Sequence, residues 1–173
     1  MAGVMQQHRL QPDWDPGLTI AHLSLPHLLS HGIGAAVLDV DRTLLPGRDV
    51  QLPDPVHVWL IDASRRLKLH LFSNNPSRQR IAAVADQLGV TFTCGASKPR
   101  RGALRRVIEE LELPPERIAM VGDRLFTDVL CGNRLGLYTV LVRPVSDNGQ
   151  PCPRNRVQRL ERRLAHWLGA PMA

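Results

Sequence analysis

At 173 residues, 43% of them hydrophobic, the chain is long enough to bury a core of its own as one domain. No apolar run approaches the roughly 18 residues that span a bilayer, and Cys94, Cys131 and Cys152 lie far apart with no CxxC pair, which excludes a membrane-spanning helix and a disulfide or cysteine-zinc scaffold and suits a reducing compartment. The net charge of +6 favours anionic partners, but only 4% of residues are aromatic and none interleaves with the basic cluster from Lys98 to Arg106, so no nucleic acid partner is expected. The amino terminus lacks a basic-then-apolar secretory layout, and Asp13 and Asp15 argue against a transit peptide. The expectation is a cytoplasmic protein, or one held peripherally on the inner face of a membrane.

Residues 1–17 carry Pro, Gly and Gln without periodicity and are expected to form a loosely structured lead-in. From Leu18 to His31 apolar residues recur around Pro26, which predicts short helical turns. Strands are predicted at 35–40, 67–72, 90–93, 118–121 and 138–142, and helices at 55–66, 77–88, 99–111 and 127–135. This alternation implies an α/β fold with a parallel sheet covered on both faces, spanning about 18–150, with a basic amphipathic helix at 151–173 packed on or appended to it. Ligands of such sheets bind beyond the carboxyl ends of the strands.

Four short segments sit at those ends: Asp39-Val40-Asp41-Arg42-Thr43, Ser73-Asn74-Asn75, Lys98-Pro99, and Gly122-Asp123 with Asp128. Two carboxylates one residue apart at a strand end can work as a pair. Asp39 is the expected nucleophile toward phosphorus, and Asp41 the acid for the leaving oxygen and later the base for water. Mg²⁺ would be held by Asp39, the backbone carbonyl of Asp41, and Asp123, with Asp128 supporting it through water. Lys98 supplies fixed positive charge, and the Ser73 hydroxyl bonds the transferring oxygens. Asn74, Thr43 and Arg42 are the candidate substrate-side residues, with Thr43 also placed to stabilise the turn after the strand. An EF-hand loop starting at Asp39 is excluded, because Leu44 and Val50 stand where Gly and Glu are required. His27 and His31 lie four residues apart without a third ligand nearby, so no metal role is expected there.

In these residues the chain resembles the haloacid dehalogenase (HAD) superfamily, whose pattern of DxDxT, then Ser or Thr, then Lys, then GDxxxTD is matched by Asp39, Asp41, Ser73, Lys98, Asp123 and Asp128. Within it, the chain is similar to the capless subclass IIIA, to YqeG-type phosphatases and the related phosphatidylglycerophosphate phosphatases, from about Leu18 to Gly169. The resemblance implies a Rossmannoid three-layer sandwich with a mainly parallel five-stranded sheet. Arg42 stands where that family usually has Asn, and Arg124 where Gln is commoner; both add positive charge beside the site.

Only 31 residues separate Asp41 from Ser73 and 24 separate Ser73 from Lys98, which leaves no room for an inserted cap domain. An open site suits a phosphate carried on something large. Val157, Leu160, Leu164, Trp167 and Leu168 share a helical face, with Arg154, Arg156, Arg159, Arg162 and Arg163 around it, so an anionic phospholipid at a membrane surface is the expected substrate partner, unless that face packs on the sheet. With the four motifs and the absent cap, the resemblance implies dephosphorylation of phosphatidylglycerophosphate to phosphatidylglycerol. The alternatives are a phosphatase of a soluble phosphomonoester or phosphoprotein whose site is completed by oligomerisation, and a non-catalytic basic binding module on the same fold.

Overall fold

A computed structural model describes residues 8–153 and 155–171. Arg154, counted in the basic carboxyl-terminal run, and the first seven residues of the expected lead-in lie outside the described residues.

The elements in chain order are α1 (Leu25–Ser30), β1 (Ala35–Leu38), α2 (Asp54–Ser64), β2 (Lys68–Phe72), α3 (Arg78–Asp86), β3 (Thr91–Thr93), α4 (Gly102–Leu111), β4 (Ile118–Gly122), α5 (Leu130–Asn133), β5 (Tyr138–Leu141) and α6 (Arg156–Trp167). The five strands form one sheet in the order β3-β2-β1-β4-β5, and every pairing is parallel. All four residues of β1 are buried, as expected of a strand covered on both sides. Ala36 and Leu38 face one apolar layer with Leu60 of α2 and Ile81 of α3; Ala35 and Val37 face the other with Leu104 and Val107 of α4. Between β1 and β2 the chain makes only α2, and between β2 and Lys98 only α3 and β3, so no cap is inserted.

Local chemistry sets the helix starts. Ser77 accepts from the Arg80 amide at 3.3 Å to cap α3, and Ser24 accepts from the His27 amide at 3.2 Å to cap α1. Pro26 sits second in α1, within the first turn, where the missing N–H costs nothing. His27 stacks on Trp14, their centroids 3.9 Å apart, and bonds the Tyr138 hydroxyl at 3.2 Å.

Two expectations change. Residues 13–14 of the lead-in are not loose: the Trp14 amide donates to the Thr139 carbonyl at 3.0 Å, the Leu141 amide donates to the Trp14 carbonyl at 2.9 Å, and the Asp13 carboxylate accepts from the Thr139 amide at 2.7 Å. The outer edge of β5 would otherwise present unpaired backbone groups. The helix expected at 127–135 is instead a wide π turn at Leu125–Val129 running into the short α5. That widened turn brings Asp128 back toward β4, and such turns concentrate at functional sites.

Candidate active site

The chain runs from β1 outward to β3 and then crosses back to β4 on the other side of β1. Crevices open at such a reversal of strand order. Asp39 follows β1 and Asp123 follows β4, and the Asp39 amide donates to the Val121 carbonyl at 2.9 Å, so the two motifs are locked side by side. Gly122 admits the third carboxylate: a Cβ there would occupy the position of the Asp128 carboxylate. The Arg124 amide donates to that carboxylate at 3.1 Å and fixes its orientation.

Lys98 is the centre of the cluster. Its ammonium donates to Asp39 Oδ1 and Asp128 Oδ1, both at 2.6 Å, and to the Phe72 carbonyl at 3.0 Å, which uses all three protons. The Asn74 side chain holds the backbone of Lys98 at both ends: its carbonyl oxygen accepts from the Lys98 amide at 2.7 Å and its amide donates to the Lys98 carbonyl at 3.2 Å. Asn74 is thus engaged with Lys98. Thr43 is fully buried, and its hydroxyl donates to Asp39 Oδ2 at 3.0 Å, so it aims the carboxylate from below.

Among the described residues, Asp41 takes its side-chain hydrogen bonds from groups other than Lys98, and its side chain is 42% exposed. Arg80, in the first turn of α3, donates to Asp41 Oδ1 at 2.6 Å, and the buried Ser73 hydroxyl donates to Asp41 Oδ2 at 3.3 Å. Arg80 is itself held by the carbonyls of Gly47 at 2.9 Å and Arg48 at 3.3 Å. The sequence reading missed this arginine. Its signal was position, since a helix that starts just after a strand-end motif turns its first residues toward the site.

Burial pushes Asp39 up to about 6; Lys98 opposes the rise and Asp128 adds to it. Burial likewise pushes Asp123 up to about 8, assisted by Asp128 and Asp39 and opposed by Arg124 and Arg42. For Lys98 burial disfavours the charge, but Asp128 and Asp39 outweigh it and raise its pKa. The cluster sets three carboxylates, Asp39, Asp123 and Asp128, against the one ammonium of Lys98. Oxygens of Asp39, Asp123 and Asp128 all lie within 4.8 Å of one another, an all-oxygen donor set in a negatively charged hollow that fits a hard divalent cation. The Asp41 carboxylate is not part of that group, which leaves only its backbone carbonyl for the metal role expected of it.

Beside Asp123 lies a cavity of about 470 Å³ lined by Arg42, Arg124, Asn155, Arg156 and Val157 among others. Its far wall is the start of α6. Gln158 donates to the carbonyls of Asp123 and Val142, both at 2.8 Å, and Glu161 accepts from Arg124 Nε at 2.8 Å and from the Leu125 amide at 3.0 Å. These polar residues with Ala165 are the buried face of α6. The apolar stripe expected to face either lipid or sheet is exposed: Leu160 is 58% and Trp167 81% accessible. No described helix is long and apolar enough to cross a membrane.

The HAD-hydrolase-like family model matches residues 95–150, the stretch holding Lys98, Asp123 and Asp128. The "Probable phosphatase YqeG" of Bacillus subtilis is 33% identical over 130 residues, 75% of each chain. The chloroplastic phosphatidylglycerophosphate phosphatase 1 of Chlamydomonas reinhardtii is 27% identical over 86% of this chain and 59% of its own. Among solved structures, the "putative HAD superfamily (subfamily III A) hydrolase from Legionella pneumophila" superposes with a TM-score of 0.50 at 20% identity, over 76% of this chain and 74% of that one. With the parallel sheet, the absent cap and the motifs at its strand ends, the likeness to the Bacillus protein shows that this chain belongs to the YqeG-type family of capless HAD-superfamily phosphatases, hydrolases of phosphoric monoesters.

Proposed function

We propose that the chain removes the terminal phosphate of phosphatidylglycerophosphate at a membrane surface, through an aspartyl phosphate on Asp39 and with Mg²⁺ among Asp39, Asp123 and Asp128. The carrying observation is the Asp39 carboxylate, fixed by Lys98 at 2.6 Å and Thr43 at 3.0 Å at the open end of the sheet. In the first step Asp39 attacks phosphorus, the bond from phosphorus to the glycerol oxygen breaks, and Asp41 protonates that oxygen. In the second, water attacks the same phosphorus, Asp41 takes its proton, and the bond to Asp39 breaks to release inorganic phosphate. Arg80 and Ser73 hold Asp41 in place through both steps, and Lys98 offsets charge on the transferring group. The bound cation would offset the remaining charge of the phosphoryl oxygens.

Three observations support lipid as the carrier. The algal relative bears the name of that activity, the site has no cap, and α6 presents an apolar stripe that nothing in the described residues covers. The stripe lies about 100° around the helix from the buried face and is bordered on its other side by the exposed Arg156, Arg159 and Arg163. Apolar residues flanked by arginines are what a helix resting on an anionic bilayer requires.

Purified protein with Mg²⁺ should release phosphate from vesicles containing phosphatidylglycerophosphate, and the double variant Leu164→Glu, Trp167→Glu should lower vesicle turnover at least about tenfold more than turnover of soluble p-nitrophenyl phosphate. Turnover of soluble phosphoesters alone would sink the lipid assignment. Removal of the cation gives a separate check. Asp39 and Asp123 titrate higher in the folded chain than in the unfolded one, so the metal-free protein binds extra protons on folding. Their contribution to stability is full below about pH 4 and is lost as pH rises through about 6 to 8. Mg²⁺ should therefore raise the melting temperature more at pH 8 than at pH 5, relative to EDTA. An equal rise at both would show that the ion binds elsewhere.

A further inference from the structure

The catalytic cluster accounts for one phosphoryl group and leaves the adjoining 470 Å³ cavity without a role. That cavity shares Asp123 with the cluster, so a ligand group lying in it is continuous with one on Asp39. Among the described residues, three guanidinium groups line it, from three different parts of the chain. Arg42 follows the first motif, with its Nε 4.0 Å from Asp123 Oδ2. Arg124 is held on Glu161, with Nε and Nη2 each 2.8 Å from the same carboxylate oxygen. Arg156 opens α6 and is exposed.

Two further features show that this end is built and not merely basic. Arg42 holds a backbone φ of 68°, in the left-handed region that a side chain with a Cβ enters at a cost of about 1–3 kcal/mol, and the fold maintains it. Asn155 donates its amide to Gln158 at 2.8 Å, but its side-chain carbonyl oxygen is buried with no hydrogen-bond partner among the described residues, and Asn155 lines the same cavity. A buried acceptor left unpaired asks for a donor such as a hydroxyl. Asn155 also leaves the first amides of α6 without a side-chain cap, and no acidic residue stands in that first turn.

We propose that this cavity binds a second anionic group of the substrate, a phosphodiester joined through a hydroxyl-bearing carbon chain to the scissile monoester, with the diester on Arg42, Arg124 and Arg156 and the hydroxyl on Asn155. The assignment rests on the monoesterase reading above and adds a specificity element to it. Arginine forks match a diester's two free oxygens. Val157 lines the cavity and begins the exposed apolar stripe of α6, so whatever lies beyond the diester exits along Val157, Leu160 and Leu164. One helix would then read headgroup charge with its first turn and apolar chains with its length.

The test compares three substrates at fixed Mg²⁺: phosphatidylglycerophosphate in phosphatidylcholine vesicles, its soluble deacylated form glycerophosphoglycerophosphate, and p-nitrophenyl phosphate, which has no second anion. For Arg156→Ala, the kcat/KM ratio of deacylated substrate to p-nitrophenyl phosphate should fall about tenfold or more, chiefly through KM, with the ratio for vesicles falling alongside it. Arg156→Lys should recover part of the loss. A fall confined to vesicles would overturn the subsite and place the arginine on the bilayer surface instead. Unchanged ratios with both diester substrates would also overturn it while leaving the lipid reading intact. Wild-type turnover of the deacylated substrate but not of vesicles, with the ratio still sensitive to Arg156, would sustain the subsite and remove the lipid. If the wild type hydrolyses only p-nitrophenyl phosphate, both fail.

Discussion

Asp39→Asn should lower phosphate release by at least about 10⁴-fold, the scale on which removing a covalent nucleophile acts. The amide has the shape of the carboxylate, its one oxygen can still accept from Lys98, and the Thr43 hydroxyl can turn to accept from its NH2, so the fold should survive. What disappears is the anionic oxygen that bonds to phosphorus. Asp39→Glu should be nearly as inactive, because one added methylene displaces the carboxylate from an orientation set by two hydrogen bonds. Phosphate release from p-nitrophenyl phosphate, paired with a thermal melt, measures both halves. Activity of Asp39→Asn within tenfold of wild type would mean that another group attacks phosphorus, or that water attacks directly.

Lys98→Met should damage stability and catalysis together. The ammonium is buried and is the shared partner of Asp39 and Asp128, so its loss leaves buried carboxylates uncompensated at a cost of about 3–5 kcal/mol. Turnover should fall on the order of 10²–10³-fold, as for loss of a group that offsets transition-state charge. Adding Asp128→Asn to Lys98→Met separates the effects: one buried charge is gone, so much of the stability should return while activity stays low. Urea unfolding at pH 7.5 with EDTA, beside kcat, gives the comparison. A Lys98→Met chain as stable as wild type would contradict the buried bridge.

The part of this site that the sequence disclosed is the part carried by strand ends. Asp39, Ser73 and Asp123 each close an apolar strand run, and a parallel sheet whose strand order reverses between β1 and β4 gathers such ends at one edge. Lys98 was legible from its order among the motifs, and its approach to Asp39 with it, but its bond to Asp128 was not, because Asp128 reaches it only through a π turn and the absence of a side chain at Gly122. Arg80 was hidden because its contact with Asp41 depends on how α3 sits over the 47–48 loop. The burial of α6 was also concealed. Hydrophobic periodicity singled out Val157, Leu160, Leu164 and Trp167, whereas the face that packs is Gln158, Glu161 and Ala165, chosen by hydrogen bonds to Asp123, Val142, Arg124 and Leu125. Polar burial of that kind leaves no mark in an apolar pattern.

Trapping the phosphorylated enzyme bears most directly on the role of Asp39. Asp41→Asn with p-nitrophenyl phosphate suits the purpose, because nitrophenolate departs without an acid catalyst while hydrolysis of the acyl phosphate still needs the base. Acid-quenching that variant after mixing with ³²P-labelled substrate and Mg²⁺, then mapping the label by peptide mass spectrometry, should place a hydroxylamine-labile phosphate on residue 39, absent when EDTA replaces Mg²⁺. Label on another side chain, or turnover with no label at any quench time, would contradict attack by Asp39.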